Sequence, residues 1–171
     1  MDALLDAELT ELQVKRLYQK AVQLLTRREW GREELFHRLV KASQNKQAVG
    51  WINSPPVSAE ITAAIHQVLD RLTEQGYLSE LRFLTSYVTM RRQKGFGPLR
   101  ITLELKQRGI PEAQIARVVE THAKHWSELA RHLAAKKQQQ AKTPIQQMRF
   151  LLSRGFSPEQ ARRAVNASIY V

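Results

Sequence analysis

Pro98, Gly109 and the set Ile115, Val118, Val119 and His122 recur 46 residues later as Pro144, Gly155 and Ala161, Ala164, Val165 and Ser168. In both places a proline opens a short helix, where a first helical residue loses nothing by lacking its N–H. A glycine then closes that helix, and a second follows with its inward positions at i, i+3, i+4 and i+7. The first third of the chain fits more loosely. Trp30-Gly31, Leu35 and Leu39 align with Phe96-Gly97, Ile101 and Leu105, and an insertion of about a dozen residues follows before a third helix resumes. A unit this small buries its apolar face poorly alone, so such units stack on one another. The expectation is an all-α chain of three tandem three-helix repeats forming an elongated, curved array. The first repeat spans residues 1–76, with an acidic N-terminal extension and a loop insertion; the second spans 77–125 and the third 126–171.

The best-marked stretch, Gly76 to Ile110, joins two helical patterns through a basic, glycine-rich corner. Leu84, Tyr87, Val88 and Arg91 fall at i, i+3, i+4 and i+7, so one face is apolar until Arg91, Arg92 and Lys94 gather near the negative end of the helix dipole. Gly95 stops that helix, Gly97 offers a permissive N-cap and Pro98 starts the next, which carries Ile101 and Leu105 inward. Gly109 after Arg108 is the expected left-handed residue, with Ile110 folding back as the hydrophobic contact of the cap.

The flanking segments read in the same way. Leu17, Ala21, Leu24 and Leu25 make a stripe on a helix over 11–27, surrounded by Lys15, Arg16, Lys20, Arg27 and Arg28. A second helix runs from Arg32 to Ala42, a polar loop from Ser43 to Val57, and Ser58 caps a helix bearing Ile61, Ile65, Val68, Leu69 and Leu72. Pro111 takes a first helical position. Trp126, Leu129, Ala130 and Leu133 then predict a helix running into KKQQQAK. Thr143-Pro144 is an N-cap followed by the first helical residue of a helix expected to face Ile145, Met148 and Leu152 inward, and Ser157-Pro158-Glu159-Gln160 is a capping box.

Charge narrows the function. The chain carries a formal net charge of +11, unevenly spread. Residues 1–13 hold four acids and no base, 76–110 seven bases against two acids, and 131–171 eight bases against one acid. That asymmetry favours a polyanion or an acidic protein surface as partner. With no cysteine, disulfides, thiolate zinc sites and a cysteine nucleophile are excluded. No apolar run approaches the roughly 18 residues of a membrane span, and the N-terminus is acidic where a signal peptide is basic, so a cytoplasmic location is expected. His122, His125 and His132 lack a carboxylate at ligand spacing, and the KGFGP corner lacks the Gly-x-x-x-x-Gly-Lys-Ser/Thr pattern of a nucleotide loop. Neither a catalytic residue, a metal site nor a cofactor is expected. Helix, glycine turn and helix from Pro98 to Glu120 also have the spacing of a helix-turn-helix, which keeps a stand-alone DNA-binding protein as the alternative. Against it, the second helix turns Glu112 and Glu120 outward, where they repel phosphates.

Gly76-Tyr77-Leu78, Arg82-Phe83, Tyr87-Val88, Arg91, Lys94-Gly95, Gly97-Pro98, Arg100-Ile101, Leu105 and Arg108-Gly109-Ile110 together resemble the signature of the RecX family, regulators of the RecA recombinase. The resemblance extends to Trp30-Gly31-Arg32-Glu33-Glu34-Leu35 and to Arg154-Gly155-Phe156-Ser157. Family members commonly carry two aspartates after Gly-Tyr-Leu, where this chain has Ser79-Glu80. The resemblance implies a negative regulator that binds in the groove of the RecA filament on single-stranded DNA, with weaker double-stranded DNA binding, and acts as a monomer. On it, Arg82, Arg91, Arg92, Lys94, Arg100, Lys106 and Arg108 are the candidate contacts with RecA or DNA. Gly76, Tyr77, Gly95, Gly97, Pro98 and Gly109 are the structural motif that presents them.

Overall fold

The computed structural model of the protein describes residues 2–44, 58–140 and 142–169. Among the described residues there are nine helices and no strand. They are α1 (Asp2–Leu25), α2 (Arg32–Ser43), α3 (Ala59–Glu74), α4 (Glu80–Gln93), α5 (Pro98–Lys106), α6 (Glu112–Glu120), α7 (Ala123–Gln139), α8 (Pro144–Ser153) and α9 (Pro158–Ile169). No helix among them is long and apolar enough to cross a membrane. Most of the expected 43–57 loop lies outside the described residues.

Local chemistry accounts for most helix ends. Gly76, Gly95, Gly109 and Gly155 all take positive φ, between 73° and 87°, a conformation costly for a residue with a Cβ. Behind Gly109, Ile110 N donates to Leu105 O, and behind Gly155, Phe156 N donates to Leu151 O, which satisfies carbonyls that the helix leaves open. Ser58 Oγ accepts from Ile61 N. Thr143 with Gln146, and Ser157 with Gln160, form reciprocal capping boxes.

One helix face and three boundaries depart from the sequence reading: Ile145 and Leu152, expected to face inward, are exposed, because α8 turns Gln147 and Leu151, at i and i+4, to the core. α1 begins at Asp2 instead of near Glu11. Pro111 is the N-cap of α6, extended at ψ 137°, one position before the expected one. His122 does not continue the apolar face of α6 but caps α7, its Nδ1 3.0 Å from Val118 O.

The chain divides into two compact units, Met1–Phe83 and Leu84–Val171, the boundary falling in the first turn of α4. In the first unit, α1, α2 and α3 pack on one another around Leu17, Ala21, Leu24, Leu35, Leu39, Ile65, Val68, Leu69 and Leu72. The start of α4 closes against α2. Glu80 Oε2 accepts from Arg32 N at 3.1 Å, so a carboxylate sits on the open amides of the α2 N-terminus. Phe83 packs where a Gly31 Cβ would stand, 3.1 Å from its ring.

In the second unit α5 packs on α6, and α7, α8 and α9 pack on one another around Ala130, Ala134, Leu151, Phe156, Ala161 and Ala164. Two glycines join these groups. Gly97 N donates to Arg154 O at 2.8 Å and Leu99 N to Gly155 O at 3.0 Å, so free amides of the α5 N-terminus meet free carbonyls at the α8 C-terminus. A Cβ on Gly97 would lie 2.5 Å from Gly155 C and O, and one on Gly155 would lie 2.6 Å from Arg100 N. Gly97 is therefore required by close backbone approach, not only by the conformation of an N-cap.

Candidate nucleic-acid and partner interface

The basic corner expected to present free cations is built around a carboxylate. Glu104, on α5, accepts from Arg91 through both guanidinium nitrogens Nε and Nη2, from Tyr87 Oη at 2.9 Å and from Arg100 Nε at 3.1 Å. Phe96 lies beside it with three guanidiniums on its ring: Arg91 at 3.8 Å, Arg100 at 4.7 Å and Arg154 at 5.0 Å from the centroid. Burial pushes the Glu104 carboxyl up, but hydrogen bonds from Arg91, Tyr87 and Arg100 outweigh it and hold the group below the ordinary carboxylate range. The Tyr87 phenol is raised, first by burial and then by its bond to Glu104.

This arrangement corrects the sequence reading of Arg91. Its side chain is only 16% exposed and is spent on Glu104 and Phe96, so it does not reach outward with its neighbours. The first unit repeats the device. Arg28 lies 3.6 Å from the Trp30 ring centroid and forms a fork with Glu34, as Arg91 does with Phe96 and Glu104. An arginine in the last turn of one helix (Arg91) or just past it (Arg28), an aromatic before the glycine and a glutamate on the next helix thus close the corner in both units.

The other expected contacts divide. Arg82 is also a strut: Nη2 donates to Gly76 O and Tyr77 O, and Nε to Glu29 Oε1. Arg108 is half-buried, 5.0 Å from the Tyr87 ring centroid. Arg92 is half-buried, with Nη1 out of solvent. Lys106 is exposed and pairs with Glu112. Lys94 is exposed, and Arg100 is 47% exposed despite its bond to Glu104. Arg91 and Arg100 are brought together, while Arg82 stands in the other unit. Of the structural motif, Gly76, Gly95 and Gly109 make left-handed turns, Gly97 and Pro98 form the α5 junction, and Tyr77 is 57% exposed.

Two groups of cations escaped the sequence reading. Arg154 joins the Phe96 cluster, and the signal for it is the echo of Lys94-Gly95-Phe96 in Arg154-Gly155-Phe156. In the first unit, Arg16 and Lys20 of α1 face Arg38 and Lys41 of α2 across an open cleft of about 810 Å³ whose lining, among the described residues, contains no carboxylate. All four are exposed, and none has an ion pair among the described residues. Arg16 and Lys20 were visible on the rim of the α1 stripe; their convergence with α2 was not. Such a cleft raises the local concentration of a phosphate backbone without reading its bases.

The helix-turn-helix alternative gains nothing from this geometry. α6, its would-be recognition helix, exposes Glu112, Gln114, Arg117 and Glu120.

Comparison with known proteins agrees with the fold and the motif. A family model described as RecX, second three-helix domain, matches residues 79–119. The regulatory protein RecX of Pseudomonas putida is 34% identical, covering 97% of this chain and 96% of its own length. That of Pseudomonas entomophila is 34% identical with the same coverage. Among solved structures, a regulatory protein RecX superposes with a TM-score of 0.74 at 20% identity, over 97% of this chain and 78% of the other. RecX from Lactobacillus salivarius superposes with a TM-score of 0.73 at 18% identity, over 93% and 98%. An identity of 34% sustained from end to end, with the signature corner and its glycines in place, leads to one assignment: the chain belongs to the RecX family.

Proposed function

We propose that the protein is a negative regulator of the RecA recombinase, acting as a cytoplasmic monomer. It binds in the groove of the filament that RecA forms on single-stranded DNA and inhibits ATP hydrolysis, strand exchange and co-protease action. The observation that carries this reading is the end-to-end similarity to regulatory proteins named RecX, at 34% identity over 97% of the chain. The surface supports it in kind. Exposed cations without carboxylate partners in the α1–α2 cleft suit phosphates, while a chain of net charge +11 also suits an acidic protein face. Such a regulator needs no catalytic group or cofactor of its own.

The test is inhibition of RecA's DNA-dependent ATPase and strand exchange, measured at several DNA concentrations with RecA saturating the DNA. A filament regulator keeps inhibiting as DNA is raised at constant RecA-to-DNA ratio. A protein that merely sequesters single strands loses its effect when DNA is added in excess. RecA turnover unchanged at every ratio would overturn the proposal.

A further inference from the structure

Four large apolar side chains of the second unit stand exposed on two helices: Leu99 (56%) and Leu103 (56%) on α5, Ile145 (66%) and Leu152 (42%) on α8. Their positions are related by the internal repeat. Leu99, Leu103 and Lys106 lie at i, i+4 and i+7 on α5; 46 residues on, Ile145, Arg149 and Leu152 lie at i, i+4 and i+7 on α8. That spacing puts each trio on one helical face, over about 10 Å of axis. Each trio therefore presents two aliphatic groups and one exposed cation, Lys106 in the first, where it pairs with Glu112, and Arg149 in the second. The stripes meet at a fixed joint, because the α8 C-terminus and the α5 N-terminus share the Gly97–Arg154 and Leu99–Gly155 backbone hydrogen bonds.

The fold does not require these groups. The inward face of each helix is already filled, by Ile101 and Leu105 on α5 and by Leu151 on α8. In the first repeat the aligned positions are Glu33, His37 and Val40, the first two polar and exposed. Exposed aliphatic groups on the corresponding helix face in two of three repeats, coinciding at Leu99 and Ile145, thus mark a surface that is covered in use.

Resting on the proposed function, we infer that these two stripes are the protein-contacting surface. Their occupant is a protein built of identical subunits, which offers the same acid-rimmed apolar patch at successive positions. Duplication within one chain matches duplication in the partner. Arg149, exposed and with no ion pair among the described residues, calls for a carboxylate opposite, and leucine and isoleucine lack the flat faces on which bases stack. A second copy of this chain is disfavoured as occupant, since two surfaces of a protein at +11 would repel.

The experiment measures binding to RecA filaments assembled on single-stranded DNA with a non-hydrolysable ATP analogue, and separately to the DNA alone. The variants are Leu99→Ser with Leu103→Ser, Ile145→Ser with Leu152→Ser, the four together, and Arg149→Glu. Each pair should weaken filament binding by about tenfold, and the fourfold variant by more than either, because contact residues at the centre of an interface carry most of its affinity. Affinity of the serine variants for DNA alone should stay within about twofold, since the substitutions alter no charge. Arg149→Glu retains the aliphatic groups and should also weaken filament binding, so the inference remains testable if the fourfold variant unfolds. Wild-type protein that binds filaments while all four variants bind equally well overturns this inference alone. Wild-type protein that does not bind filaments overturns the proposed function and the inference with it. Concentration-dependent dimerisation lost in the serine variants would assign the stripes to a second copy and overturn the inference.

Discussion

Arg91→Glu would place a second carboxylate against Glu104 and strip the cation from the Phe96 ring, in a site where Arg91 is 16% and Glu104 19% exposed. The expected cost is roughly 1–3 kcal/mol of folding stability, as for removing one partner of a buried charged hydrogen bond. Lys94→Glu, two positions from Arg92 but exposed, should change stability by less than about 0.5 kcal/mol. Urea denaturation of the two variants checks the contrast, and equal midpoints would refute the structural role given to Arg91. Glu104 also makes stability depend on pH. Its folded carboxyl holds a proton less tightly than the unfolded one, so its contribution is present above the ordinary carboxylate range and lost as pH falls through and below it. Glu104→Gln should therefore lower the denaturation midpoint at about pH 7, and the gap from wild type should shrink towards about pH 3. A gap that stays constant would show that the ionised form is not what Arg91 and Arg100 hold. The pair of Arg100 and Glu104 is local, at i, i+4, whereas the bond from Arg91 comes from another helix, thirteen residues away, and has no local signal. Cations at a helix C-terminus read as free because nothing local announces the carboxylate that will meet them.

At the level of helices, glycine chemistry was the most legible feature and also the one that concealed most. Gly95, Gly109 and Gly155 were all expected as helix stops, Gly109 from Arg108 before it and Ile110 after it, and all three take positive φ. For Gly155 that explanation is sufficient in sequence, so its second role, the close passage of the α5 backbone, left no trace. Glycines 76 and 155 separate the two roles. Both lie at positive φ, but a Cβ on Gly76 meets nothing within 4 Å, whereas one on Gly155 runs into the backbone of Arg100. Gly76→Ala should cost about 1 kcal/mol, the strain of the left-handed conformation alone. Gly155→Ala should cost clearly more, and should weaken hydrogen-exchange protection of the Gly97 and Leu99 amides, which the α8 carbonyls hold. Equal losses of stability in the two variants would mean that the α5–α8 joint adjusts freely. The start of α1 was missed for a different reason: the reading followed the stripe of Leu17, Ala21, Leu24 and Leu25, whereas the helix begins at Asp2. The 43–57 insertion stays an expectation, since most of it lies outside the described residues.

For the whole molecule, the net charge of +11 predicts single-stranded DNA binding that is indifferent to sequence and falls steeply with salt, because each neutralised phosphate releases counterions. Which cations carry that binding is a question of partners, not of proximity in sequence. Arg82 and Arg91 belong to the most recognisable motif but are committed to Glu29, backbone carbonyls and Glu104. Arg16, Lys20, Arg38 and Lys41 belong to no motif, yet line a cleft with no carboxylate among its described residues. Replacing these four by glutamine keeps side-chain length and hydrogen bonding and removes four charges. On single strands each lost phosphate contact reduces the slope of log affinity against log salt by about 0.7, so the fourfold variant should lose up to about 3 in slope. Its thermal stability should stay close to wild type, since all four side chains are exposed. Arg91→Gln should show the reverse, with a nearly unchanged slope and a lower melting temperature. Titrating labelled single strands at four or more salt concentrations resolves the difference. If the fourfold variant keeps the wild-type slope while binding remains salt-dependent, the phosphate contacts lie elsewhere, and the eight bases between Arg131 and Val171 become the segment to neutralise next.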